Sequence, residues 1–204
     1  MVLVALALYF IPIFHPFKFF FPFLVFIFSA YFLPQDYLNG LLLSAAFFLT
    51  LGIKNLEFLN RRAADQFLVL ILSFIHYLFV FQLLENWDSA WSFAILVVPA
   101  ALFFFLAKGA AEFICGTDGK LGKRENLAIL GVAALLLWQI SITVLFLPLN
   151  LAHQIAVVFL SAAILFQSAI DSFCGTLNRY KLIFRLVLFC VLVFAIMLGV
   201  DWRI

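Results

Sequence analysis

Seven long apolar runs dominate the sequence, at residues 17–33, 38–53, 66–84, 91–107, 127–147, 151–169 and 182–200. A helix crossing the hydrocarbon core of a bilayer needs about 20 apolar residues, with a usable range of roughly 17–25. In lipid, every backbone N–H and C=O must be satisfied within the protein, which leaves only helices and closed barrels. Barrel strands alternate polar and apolar residues over about 10 positions. These runs are apolar on every side and therefore predict helices. Composition agrees: 68% of residues are hydrophobic and 11% charged, against about 45–50% and about 25% in ordinary soluble domains. So little polar surface cannot cover a core in water. A soluble domain, a disordered tail and a nucleic-acid-binding protein are excluded. The expected fold class is all-α: a polytopic transmembrane helical bundle with seven clear spans, forming one transmembrane domain over residues 1–204.

Residues 2–14 are a candidate eighth span, short and ended by Pro12 and Pro16. This stretch has neither the basic n-region nor the A-x-A-like cleavage site of a signal peptide, so it is expected to be retained.

The basic residues set the orientation, because short Lys/Arg-rich loops stay cytoplasmic. Lys18, then Lys54, Arg61 and Arg62, then Lys108, Lys120, Lys123 and Arg124, then Arg179, Lys181 and Arg185 all fall on one side of the span assignment. Those are 11 of the 12 basic residues; Arg203 alone falls on the other side. The expected location is a cell (inner) membrane, multi-pass, with the loops around 54–65, 108–126 and 171–181 cytoplasmic and the C-terminus outside. Trp87, Trp91 and Trp202 then lie at the outer boundary, where aromatic belts form. The 29 phenylalanines read as lipid-facing bulk.

Two cytoplasmic loops share a pattern. Ala110-Ala-Glu112-Phe-Ile-Cys115-Gly116-Thr117 is matched 59 residues later by Ala169-Ile-Asp171-Ser-Phe-Cys174-Gly175-Thr176. Residues 91–147 and 151–200 are therefore candidate parallel hairpin repeats, a duplication known in transporters. A structural explanation also suffices. The acidic residue ends the helix at the membrane face, Gly supplies the turn, and Thr caps the next segment.

Asp, Glu, Lys and Arg are expected outside the spans, with Arg185 taken with its basic loop. Intramembrane ionisable groups usually mark ion paths and active sites, so a proton pump and an aspartyl intramembrane protease are disfavoured. His76 lies deep in 66–84 and has the chemistry of a proton shuttle or metal ligand; a packed histidine bonded to backbone or hydroxyl is the plainer alternative. Gln82 and Gln139 are polar positions in spans, suited to gluing helices together. Glu112, Asp171, Cys115 and Cys174 gather at the cytoplasmic face. An odd number of cysteines at irregular spacing is not a disulfide framework, and a reducing compartment favours free thiols at Cys115 and Cys174; a paired redox site or a lipid-modified site is the alternative. Catalytic signatures such as H-E-x-x-H, G-x-S-x-G and the P-loop are absent from the sequence. No catalytic residue, cofactor or metal ligand is assigned. Pro99 is expected to kink the span 91–107. Small residues at Ser44-Ala45-Ala46, Gly131 with Ala133-Ala134, and Ser161-Ala162-Ala163 permit close helix contact.

The stretch Leu51-Gly-Ile-Lys54-Asn55-Leu56 followed by Asn60-Arg61-Arg62, and the pattern Phe146-Leu-Pro148-Leu, resemble uncharacterised polytopic inner-membrane proteins of candidate-phylum bacteria. The resemblance implies a bacterial inner membrane and no activity. Three functions stay open. The first is a non-enzymatic membrane component (subunit, scaffold or anchor) whose partners are membrane lipids, a membrane protein or a second copy. The second is a small transporter or channel for an apolar or neutral solute. The third is a lipid-processing enzyme at the cytoplasmic face, which requires Glu112, Asp171, Cys115 and Cys174 to converge.

Overall fold

A computed structural model describes residues 9–10, 19–32, 37–54, 60–85, 92–115 and 123–199. Among them there is no strand. The elements are α1 (Phe20–Phe32), α2 (Tyr37–Lys54), α3 (Arg61–Glu85), α4 (Ser92–Ile95), α5 (Val97–Cys115), α6 (Lys123–Leu145), α7 (Leu151–Phe173) and α8 (Arg179–Leu198). Five helical stretches are long and apolar enough to cross a membrane: Arg61–Leu84, Phe93–Cys115, Arg124–Leu145, Leu151–Phe173 and Arg179–Leu198. The runs 17–33 and 38–53 give shorter apolar helices, Phe20–Tyr31 and Tyr37–Ile53. At 1.5 Å per residue, the 13 residues of α1 rise about 20 Å, well short of a bilayer core of about 30 Å. Of the proposed eighth span only Tyr9 and Phe10 are described. Trp87, Trp91, Trp202 and the loop carrying Gly116 and Thr117 lie outside the described residues.

The helices overrun the apolar runs at the basic face. The run 91–107 continues as α5 to Cys115, through Lys108 and Glu112, and 151–169 continues as α7 to Phe173, through Asp171. Arg185 corrects the sequence expectation: it lies inside α8, not in the loop before it. A helix does not stop where hydrophobicity stops. Its ladder runs on until a turn residue ends it, and long charged side chains reach the headgroup zone from inside it.

Pro99 also departs from expectation. It is the third residue of α5 rather than a mid-helix kink. Proline has no N–H to bond the carbonyl of Ile95, and its ring crowds that carbonyl. The ladder accordingly breaks at Leu96, which separates the four-residue α4 from α5. In the first turn of α5 the missing N–H would have been unpaired in any case. Pro22 sits at the same position of α1.

The chain divides into two compact units, Met1–His76 and Tyr77–Ile204. In the first, α1 and α2 are neighbours, and Phe26 stacks on Phe47 with ring centroids 5.3 Å apart. Asn60 caps α3: its Oδ1 accepts from Ala63 N at 3.1 Å. In the second unit α5, α6 and α7 all contact one another. Phe103 and Phe166 meet edge to face at the α5–α7 contact, 6.3 Å between centroids. Pro148 ends α6, and Asn150 starts α7 by accepting from His153 N at 3.0 Å. Helix α8 contacts α7. Among the described helices long enough to cross a membrane, it is the one with no buried position.

Candidate functional site

The polar candidates fall into two groups. His76, in the first unit, is buried on α3. Its Nδ1 lies 2.7 Å from the Leu72 carbonyl and its Nε2 3.2 Å from Ser29 Oγ of α1. A carbonyl only accepts, so Nδ1 donates. The Ser29 hydroxyl then has one proton for two acceptors, Nε2 and the Val25 carbonyl at 2.7 Å. Both ring nitrogens are thus occupied by the protein, and the ring ties α3 to α1. Ser29 escaped the sequence reading, although it is the lone hydroxyl in the apolar stretch 19–30 and a natural partner for a buried histidine.

The second group lies where α5 and α7 end. Cys115 is the last residue of α5, and Cys174 is the C-cap of α7. They form a disulfide with Cα atoms 5.4 Å apart and a sequence separation of 59, within the usual range for such bridges. This overturns the expectation of two separate thiols. The reasoning from irregular spacing applies to small stapled folds. In a bundle, what matters is that α5 and α7 end side by side. The constant 59-residue offset between the two Cys-Gly-Thr motifs was the available signal.

Asp171 is bound from several directions. Arg185 Nη2 of α8 approaches its Oδ2 to 2.6 Å, and Lys181 Nζ lies 3.9 Å away. Arg185 Nη1 also donates to Ser168 Oγ at 3.4 Å. The turn after α7 is a Schellman motif: Thr176 N donates to the Asp171 carbonyl at 2.8 Å and Gly175 N to Ser172 at 3.0 Å. Gly175, at φ 66°, takes the left-handed conformation that this motif demands. Gly therefore supplies the turn as expected. Thr176 does something else: its Oγ1 donates back to Asp171 Oδ1 at 3.1 Å, and α8 starts at Asn178 without a side-chain cap.

Of the remaining candidates, Glu112 is half-buried on α5, Gln82 half-buried on α3 and Gln139 exposed on α6. Among the described residues no group of three His, Cys, Asp or Glu is placed to hold a metal. An open apolar groove of about 410 Å³ lies between α5 and α6, lined by residues including Ala100, Ala101, Phe104, Gly131 and Trp138. Trp138 was not singled out in the sequence. Its Nε1 donates to the Phe93 carbonyl at 3.2 Å, holding α4 against α6. Comparison of the chain with protein families, curated proteins and solved structures yields no match.

Proposed function

We propose that this chain is a non-enzymatic component of a bacterial inner membrane, a subunit or anchor that works through lateral helix contacts, with its basic loops cytoplasmic. The observation that carries this reading is α8, a membrane-length helix without a buried residue. Tyr180, Phe184, Val187, Val191, Phe194 and Leu198 are all exposed along it. Its attachment to α7 includes the Arg185–Asp171 pair. Such a helix offers its outer surface to lipid or to a partner helix, and van der Waals packing drives that kind of association.

The polar candidates support the same reading. His76 spends one ring nitrogen on the Leu72 carbonyl of its own helix and the other on Ser29 of α1. Asp171 is engaged by Arg185, and Cys115 by Cys174. A transporter for an apolar or neutral solute would be favoured by a cavity lined by His76, Gln82 or Gln139; the apolar groove between α5 and α6 is lined by none of them. The deciding experiment is purification in native lipid nanodiscs, followed by mass spectrometry of the intact assembly. A stoichiometric protein partner or a second copy supports the proposal. A lone chain carrying a stoichiometric small molecule overturns it in favour of transport.

A further inference from the structure

Two observations collide at the ends of α5 and α7. The face is marked as cytoplasmic by its charge: Lys108, Lys123, Arg124, Arg179, Lys181 and Arg185 all belong to it. Short basic segments of this kind stay on the cytoplasmic side. Yet the same face carries a disulfide between Cys115 and Cys174. Cytoplasmic thiols are kept reduced, and bridges found there are transient, catalytic or redox-sensing.

We propose that Cys115 and Cys174 are a reversible thiol–disulfide pair. It is open as a dithiol in the resting cell and closes by exchange with a low-molecular-weight disulfide of the glutathione type. The inference rests on the orientation assigned above. In the closed form the two residues sit at the ends of α5 and α7 with a Cα separation of 5.4 Å, within the usual range for a bridge. Both cysteines are partly exposed rather than sealed in the core. Cys190, on α8, is free and outside the pair.

The chemistry balances without another reagent. The thiolate of one cysteine attacks a sulfur of the small disulfide, forming a mixed disulfide and releasing one small thiolate. The thiolate of the second cysteine then attacks the protein sulfur of that mixed disulfide. The Cys115–Cys174 bond forms and the second small thiolate leaves. The protein loses two electrons and two protons, and the small disulfide becomes two thiols. Two small thiols drive the reverse. Closing the bridge staples the cytoplasmic ends of α5 and α7, two helices otherwise joined in sequence through α6.

The test uses the full chain with Cys190→Ser, expressed in a bacterial inner membrane and quenched in acid. Free thiols are counted by the gel shift of a maleimide-polyethylene-glycol reagent. Two modifiable thiols are expected in growing cells. None is expected after inverted membrane vesicles are treated with glutathione disulfide, and two again after excess glutathione. Adding Cys115→Ser should leave one thiol that instead gains a glutathione-sized mass. A chain with no free thiol in growing cells has a permanent bridge, which overturns the proposal. So does a chain whose two thiols survive glutathione disulfide. Orientation is read separately, from Asn178→Cys in a chain with all three native cysteines changed to Ser. An impermeant maleimide should label it in inverted vesicles and not in spheroplasts. The opposite pattern overturns the orientation itself, and the proposal with it.

Discussion

Arg185 of α8 reaches back across the turn at 174–178 and sets its Nη2 2.6 Å from Oδ2 of Asp171, the third-last residue of α7. Both side chains are only 16% exposed. The contact resolves two local conflicts. A carboxylate near a helix C-terminus faces the negative end of the helix dipole, and an arginine inside an apolar helix needs a partner. Removing either member leaves the other charge uncompensated, which in a buried setting costs about 3–5 kcal/mol. With partial exposure, Asp171→Leu and Arg185→Leu should each destabilise the detergent-solubilised chain by roughly 1–3 kcal/mol. The double variant should recover most of that loss. Unfolding titrations of the four proteins in one double-mutant cycle check the coupling. Additive losses would mean that the pair does not act as a clamp.

The disulfide should matter for stability as well as for redox response. Closing a loop of 59 residues restricts the unfolded chain by about 4 kcal/mol on the chain-entropy estimate. Membrane insertion already restrains the helix ends, so the gain should fall below that figure. Thermal unfolding of the oxidised and reduced chain in the same detergent should show the oxidised form more stable, with Cys115→Ser matching the reduced one.

The ring of His76 should carry its proton on Nδ1 when neutral, because Leu72 offers only a carbonyl. Nitrogen-15 spectra of the labelled imidazole test this directly; a neutral ring protonated at Nε2 would contradict the geometry. Ser29→Ala removes the partner of Nε2 and should cost about 1 kcal/mol.

Two glycines should answer oppositely to the same substitution. Gly175 sits at φ 66°, where a side chain costs about 1–2 kcal/mol, so Gly175→Ala should destabilise. Gly131 lies within α6, and a Cβ added there meets nothing within 4 Å. Gly131→Ala should therefore be neutral or gain up to about 1 kcal/mol from helix propensity. Matched unfolding curves of the two variants suffice.

Pro99→Ala should restore the backbone bond to Ile95 and fuse α4 with α5. Amide hydrogen exchange would then show protection across residues 95–99, where the wild-type chain is interrupted at Leu96. Unchanged exchange would locate the cause of the break elsewhere.

The helices were legible because burial in lipid imposes one simple requirement, a long apolar run, and each of the seven runs contains a helix. Their ends were not, because Lys108, Glu112 and Asp171 are polar residues that the helical ladder carries beyond its apolar part. Sequence could name Asp171 and Arg185 but not pair them: hydropathy treats each charge alone, whereas the contact depends on how the α7–α8 turn is wound. The same holds for Cys115 and Cys174. Their bond follows from two helices ending together, a property of tertiary register of which the 59-residue offset between the two Cys-Gly-Thr motifs was the one trace in the sequence. Pro99 shows the reverse error. Its position was clear, but where the helix restarted was not, and that decides whether a proline bends a helix or begins one.

The isolation of α8 has a mechanical consequence. Its 20 residues rise about 30 Å, close to the thickness of the hydrocarbon layer. The stretch Phe93–Cys115, with 23 residues, is longer than that layer and must lean or extend into the headgroups. Helices α5, α6 and α7 lean only as a group, because their side chains interlock. Helix α8 has no core side chain to restrain it, and the contacts of Arg185 and Lys181 with Asp171 near its N-terminal end act as a pivot. A change in bilayer thickness would therefore register first as a change in the tilt of α8.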